Sequence, residues 1–343
     1  MALRVIEGFE QYTIGNSIEL TRGGWSSNSL ITNISFVLKA GRHAGGQALE
    51  VGGNGINLWH NVPATDVFTC GFAYRTVDSG PDGTIMMYFR NNLIDHLRLS
   101  LTAAGELRLD RGTTQIDVTS GLGIAQGEWH YYEINATIHN SAGAYDVHVD
   151  GAQVFSDTGV DTQNGGAAQV DNFELAGDAL LDPEFDDIYF LDDAGSDNTG
   201  LLGDCRVETV FPDALGNEND FTASPAVDQH LNVDDGVTPD DDTTYNHSAT
   251  ATDRELYGFA ALAGSVGTIF GVDAKMLVRK EDAGFREVRV IARSNVTEVE
   301  SVNLTLGIEY AYKNNIFEND PNGGTDWDEA AVNAAQFGLD LQT

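Results

Sequence analysis

Bases, sulfur and long apolar runs are what this sequence has least of. Against 53 Asp plus Glu, its 343 residues include only 18 Lys plus Arg, for a formal net charge of -35 at pH 7. A nucleic-acid binder needs a basic stripe to displace counterions from phosphates, and none is present, so DNA and RNA are excluded as main ligands. Two cysteines, Cys70 and Cys205, are too few for a disulfide-built secreted scaffold and are read as free thiols. No window approaches the 18 or so apolar residues that a membrane-inserted helix requires. Met1-Ala2-Leu3-Arg4-Val5-Ile6-Glu7 shows no basic region followed by an apolar run, so synthesis as a soluble protein in the cytoplasm is expected.

Several catalytic and cofactor signatures are missing as well. No Cys-x-x-Cys and no His-x-x-x-His supports zinc or haem, and no Gly-x-Ser-x-Gly elbow marks a serine hydrolase. Gly45, Gly46, Gly52, Gly53 and Gly55 cluster without a Lys-Ser/Thr pair or a following helix, so they read as turns and not as a phosphate cradle.

What is present is enough to fold. Hydrophobic residues make up 41% of the chain, which separates it from disordered acidic polymers, and the length suits two domains. Acidity of this degree fits a salty medium, where a Debye length below about 8 Å screens self-repulsion.

Most apolar runs are short and end in Gly, Asn, Asp or Ser, the pattern of an all-β protein. Residues 31–38, 68–75 and 85–89 read as strands, the last two as a pair across the turn 79–83. His96–Leu101 and Glu106–Asp110 alternate Leu with charge, which predicts one buried and one wet face. Residues 129–138 and 145–149 form a hairpin, and Asp150-Gly151 announces a second tight turn. Phe173–Leu175 and Phe185–Leu191 follow.

From Asp182 to Tyr245 the chain carries 18 Asp or Glu and a single Arg. A boundary near residue 200 is expected there, dividing a β-sandwich over 1–200 from a second β-rich module over 201–343. In the second part, strands are expected at 257–259, 267–272, 275–279, 285–293 and 302–306. Seven of the bases lie between Arg254 and Arg293, giving locally positive faces suited to domain or subunit pairing. Residues 327–337 read as a helix of about three turns, capped by Thr325 or Asp326, closed by Gly338 and packed through Trp327, Val332 and Phe337.

Three groups carry candidate chemistry. Glu184-Phe185-Asp186-Asp187-Ile188-Tyr189 sets carboxylates along one strand, and glycosidases need two carboxyls about 5–9 Å apart. The run resembles part of the catalytic strand of β-jelly-roll glucanases, but Tyr189 stands where the acid/base Glu is required. The expectation is therefore structural: Phe185, Ile188 and Phe190 anchor a core while the carboxylates face solvent or a cation. Asp192, Asp193 and Asp197 could together supply oxygens to calcium, as could Asp240-Asp241-Asp242, although neither has the spacing of a helix–loop–helix calcium site. Trp59, His60 and Asn61 are the best candidates for contacting a glycan, set against the alternative that a tryptophan in a sandwich packs in its core.

Ile6–Glu10, Gly127–Glu133, Tyr145–Gly151 and Phe185–Phe190 together resemble a concanavalin A-like (laminin-G/lectin-type) jelly roll of the kind found in tailed-bacteriophage structural proteins. Leu202–Pro212, Val233–Asp235 with Asp241–Tyr245, Arg279–Gly284, Glu318–Pro321 and Trp327–Asn333 resemble, in order, a module common among phage virion proteins. The resemblance implies a non-enzymatic virion structural protein of the capsid surface, tail or fibre. It would assemble in the host cytoplasm as a homo-oligomer, a trimer or a ring, with other virion proteins and with host-surface glycans as contacts. A free lectin-like protein and a polysaccharide hydrolase are the alternatives.

Overall fold

Alternation of apolar and polar residues makes the strands, and short Gly- and Asp-containing turns join them. In a computed structural model of the chain, the described residues are 1–13, 19–28, 35–53, 55–76, 84–178, 181–263 and 267–343. They fall into two units, Met1–Val207 and Glu208–Thr343.

The first unit contains β1 (Ala2–Glu7), α1 (Glu19–Arg22), β2 (Trp25–Ser27), β3 (Phe36–Ala40), β4 (Gln47–Val51), β5 (Asn57–Thr65), β6 (Val67–Arg75), β7 (Thr84–Asn91), β8 (Ile94–Leu101), β9 (Leu107–Arg111), β10 (Thr114–Val118), β11 (His130–Thr137), β12 (Gly143–Val149), β13 (Ala152–Val160), β14 (Val170–Ala176) and β15 (Glu184–Asp192). They build two antiparallel sheets, ordered β13-β12-β11-β6-β15-β4-β3 with β1 also on β15, and β10-β9-β8-β7-β14-β5-β2. This is a jelly-roll sandwich. Its core is aromatic: Phe190 of one sheet stacks on Phe173 of the other with ring centroids 5.6 Å apart, and Phe68 meets Phe89 at 4.7 Å. All four rings are fully buried, and each such side chain stabilises the fold by about 1.5–3 kcal/mol through removal from water. Cys70 is buried in this core and Cys205 is partly buried; both are free.

At Asp150-Gly151 both residues have positive φ, 50° and 77°, and Val149 pairs directly with Ala152. This is the left-handed two-residue turn that matches strand twist. The expected pairing of 68–75 with 85–89 is not formed. Both edges of β6 are taken by β11 and β15, and both edges of β7 by β8 and β14, so the two strands belong to opposite sheets. The turn 79–83, and residues 31–34 of the expected strand 31–38, lie outside the described residues; the observed strand starts at Phe36.

The second unit contains β16 (Pro212–Asn219), β17 (Thr222–Ser224), a 3-10 turn at Gln229–Asn232, β18 (Tyr245–His247), β19 (Arg254–Phe259), β20 (Val272–Val278), β21 (Glu287–Ser294), β22 (Thr297–Glu300), β23 (Leu304–Thr305), β24 (Ala311–Phe317), β25 (Asn319–Asp320), β26 (Thr325–Asp326), α2 (Glu329–Ala334) and β27 (Gln336–Leu341). A sheet ordered β16-β19-β27-β21-β22, with β23 also on β21, packs with the β20–β24 ribbon around Phe317, Trp327, Phe337 and Leu339. Residues 267–279 yield one strand, β20, preceded by a single bridge between Ile269 and Trp327.

The C-terminal helix is shorter than its pattern suggested. Asp328, not Thr325 or Asp326, caps it by accepting the Ala331 amide, and it ends at Ala334. Phe337 and Gly338 lie in β27, between β19 and β21. A Cβ at Gly338 would sit 1.8 Å from the Glu255 carbonyl oxygen, so glycine is there for close strand approach and does not close a helix.

The clustered bases are not a free positive face. Arg254 pairs with Glu218 and Glu298, Arg289 with Glu300, Arg279 with Asp242 and Arg286 with Asp282. Each is neutralised by a carboxylate of its own unit.

Candidate functional site

The carboxylate strand β15 is buried along its whole length. Asp187 has φ of 50°, and the register slips between Asp186 and Tyr189. The extra residue of this bulge lets adjacent Asp186 and Asp187 project from the same face while Phe185, Ile188 and Phe190 stay in the core. That corrects the expectation that these carboxylates face solvent or a cation: Glu184, Asp186 and Asp187 are each at most 3% exposed.

Each has a protein partner in place of water. Glu184 accepts from Arg75 Nε at 2.5 Å. Asp186 accepts the Arg42 amide at 2.9 Å, while Asp187 meets Arg42 Nε at 2.9 Å, His43 Nε2 at 3.3 Å and the Val207 amide at 2.7 Å. Tyr189 donates to Glu133 at 2.6 Å, and Glu133 also accepts the Gly203 amide. Segment 202–207 is therefore laid over this face, and the first unit runs to Val207, beyond the boundary expected near 200. Glu10 belongs to the same cluster: burial, then the charges of Asp186 and Asp187, push its carboxyl up to about 9. Burial and Asp187 likewise push Asp186 up to about 7. These carboxylates are covered by their protein partners, and the position of a third acid is held by the phenol of Tyr189.

The aspartates expected to hold calcium are committed separately. Asp192 pairs with Arg4 at 2.5 Å and accepts the Ala194 amide; Asp193 accepts from Thr65 Oγ1, and Asp197 from Ser196 Oγ. Asp240 accepts from Thr244, and Asp242 from Arg279 and Tyr310. Among the described residues, no three His, Cys, Asp or Glu side chains come together in a group that could hold a metal ion.

Trp59, His60 and Asn61 lie on β5 and alternate across it. His60 points inward, its ring 5.2 Å from that of Trp25 and 6.0 Å from that of Phe173. It faces these buried rings while remaining partly exposed itself. Trp59 and Asn61 therefore project from the outer face, where Trp59 is half-buried and Asn61 exposed. The candidate trio is reduced to two residues, and strand pairing extends them sideways. Ser26 pairs with Trp59, Trp59 with Glu174, Glu174 with Tyr88, Tyr88 with Arg98, and Arg98 with Asp110. One in-register row thus crosses six strands, about 24 Å at the usual inter-strand spacing.

Charges in this row are balanced. The Arg90 guanidinium lies over the Tyr88 ring, 4.1 Å from its centroid, and pairs with Asp95 at 2.5 Å and with Glu174. Arg98 and Arg108 approach Asp110 at 3.5 and 3.0 Å. Nε of Arg98 is buried without a hydrogen-bond partner. Burial raises the Glu174 carboxyl against the opposing pull of Arg90, and it also raises the Tyr88 hydroxyl. Tyr88, Arg90, Arg98, Asp110 and Glu174 were not singled out from the sequence. The only signal there was the alternation of Leu with charge along β8 and β9, read as a wet face; the structure corrects this, since His96, Ser100 and Asp110 on it are buried.

No family model matches the chain, and no curated protein matches it. Solved structures with some likeness include a sialidase, at TM-score 0.41 and 15% identity over 56% of this chain; the match spans 19% of that protein's length. Alginate lyase Aly36B matches at TM-score 0.41 and 12% identity, covering 55% of this chain and 96% of its own. Domain 4 of AbnA, a GH43 extracellular arabinanase from Geobacillus stearothermophilus in complex with arabinotriose, matches at TM-score 0.39 and 15% identity over 55% of this chain and 91% of its own.

Proposed function

We propose that the first unit is a non-catalytic glycan-binding sandwich and that the chain as a whole is a structural component of a bacteriophage virion. The observation that carries the binding reading is the in-register row from Trp59 through Glu174 and Tyr88 to Arg98 and Asp110. A half-buried indole and a half-buried phenol supply apolar area for sugar rings, while the partly exposed Arg98 and Arg108 supply donors for hydroxyls, the carboxylates Glu174 and Asp110 of the row being buried. The virion reading rests on the resemblance of residues 202–333 to a phage module and on the acidity of the chain.

Two features favour binding over turnover. A tyrosine serving as proton acceptor needs its hydroxyl lowered toward neutral pH, and that of Tyr88 is raised. Asp95 and Asp110 are each held by an arginine, as are Glu174 and the buried Glu184.

A glycan array followed by calorimetry tests the site. Trp59→Ala should weaken binding at least about tenfold, corresponding to about 1.4 kcal/mol of lost stacking, and leave the melting temperature nearly unchanged. Failure of the wild type to retain any glycan refutes the binding reading, and release of new reducing or unsaturated ends refutes the non-catalytic one. Absence of the chain from purified particles refutes the virion assignment.

A further inference from the structure

Half of the large apolar side chains exposed among the described residues lie along one margin of the second unit. They are Phe285, Val296, Val299, Val302 and Ile308, between 45% and 78% exposed. All border the outermost strands of its main sheet. β22 pairs with β21 on one side only, and β23 continues the same margin after Ser301, whose amide donates to the Val290 carbonyl. A strand at the end of a sheet has backbone donors and acceptors pointing away from it, and soluble proteins usually guard such edges with charge. Here the guard is weak. Val296, Val299 and Val302 interrupt it, and its charges are already paired inward: Glu298 with Arg254 and Arg293, and Glu300 with Arg289.

The electrostatics select the occupant. Between Phe285 and Ile308 the sequence has three arginines, Arg286, Arg289 and Arg293, and three glutamates, Glu287, Glu298 and Glu300. This stretch is neutral in a chain carrying -35 overall. Two copies of so acidic a protein repel each other over most of their surfaces, so a neutral margin with mixed signs is where they can approach. Its arginines are already neutralised within the unit, so it presents little net charge for a second copy to repel. The apolar side chains then supply the area that association removes from water.

We propose that the β22–β23 edge of the second unit docks against a second copy of this chain, burying Val296, Val299 and Val302 with Phe285 and Ile308 at one end. The contact strengthens as salt rises, because screening removes the repulsion between the acidic remainders while the apolar contact persists.

Light scattering coupled to size exclusion tests this on the full chain. The wild type should elute at a multiple of 36.9 kDa. Val299→Glu combined with Val302→Glu should bring it to the single-chain mass, with association at least about tenfold weaker. Both positions face solvent, so the melting curve should stay as in the wild type. Val302→Cys supplies an independent readout: a short bis-maleimide should join two chains in that variant and not in the wild type. A wild type that is monomeric in high salt overturns the proposal. So does a folded double variant that keeps the wild-type mass, or a Val302→Cys protein that yields no cross-linked pair.

Discussion

Replacing Glu10 by Gln should make this protein more stable, and only at the higher pH values. Its carboxyl is pushed up from 4.5 to about 9 by burial and by the neighbouring charges of Asp186, Asp187 and Glu7. The fold thus favours the protonated form. The stability this contributes is complete below about pH 4.5 and is lost as pH climbs toward about 9. At about 1.4 kcal/mol per pH unit above 4.5, about 5 kcal/mol of stability is lost by pH 8, because the unfolded chain releases the proton that folded Glu10 still holds. Relaxation and water entry reduce the realised cost, and about 2 kcal/mol is expected. In a unit of about 200 residues, 1 kcal/mol moves Tm by about 2–4 °C. Calorimetry should therefore show the transition of the first unit rising by about 4–8 °C in the Glu10→Gln variant at pH 8, and by far less at pH 5. The wild-type transition should itself fall between those pH values. A variant that melts at or below the wild type at pH 8, or gains equally at both pH values, would refute the buried-repulsion account.

The remaining predictions use the same kind of measurement. Phe190→Ala should destabilise the first unit by about 3–5 kcal/mol, because it empties the contact between rings of the two sheets; a loss below about 1 kcal/mol would show that the sandwich is not held there. Gly338→Ala should disrupt the second unit and leave the first transition in place, since the added Cβ would meet backbone at 1.8 Å. An unchanged second transition would mean that β19 and β27 do not approach as described. The effects of Trp59→Ala on glycan affinity and of Val299→Glu with Val302→Glu on mass complete the set.

Much of the architecture was legible because strand periodicity is local. Leu97, Leu99, Leu107 and Leu109 point inward as their alternation required, and the Asp150-Gly151 turn formed where its residues permit positive φ. The errors came where partners are distant in sequence. Residues 68–75 and 85–89 are near neighbours in the chain, yet each found two other strands to pair with. Residues 329–334 are helical, but Phe337 was claimed by a strand whose two neighbours in the sheet start about 50 and 80 residues earlier. Trp59 was legible as a large aromatic beside polar residues; that His60 turns away from it follows only from the position of Trp25 and Phe173.

Composition and alternation by themselves determined that this chain is an acidic, all-β protein whose strands carry side chains alternately to two faces, because charge count and side-chain period are local properties; the polar face expected to be wet on β8 and β9 is instead partly covered, with His96, Ser100 and Asp110 buried. Only the tertiary structure decided where the charges go. It buried Asp186 and Asp187 beside Arg42 by means of a bulge, paired the clustered arginines with carboxylates of their own unit, and aligned Trp59, Glu174, Tyr88, Arg98 and Asp110 across five strands. Each of those outcomes depends on register between segments tens of residues apart, and a one-residue slip would carry every side chain of the row to the opposite face.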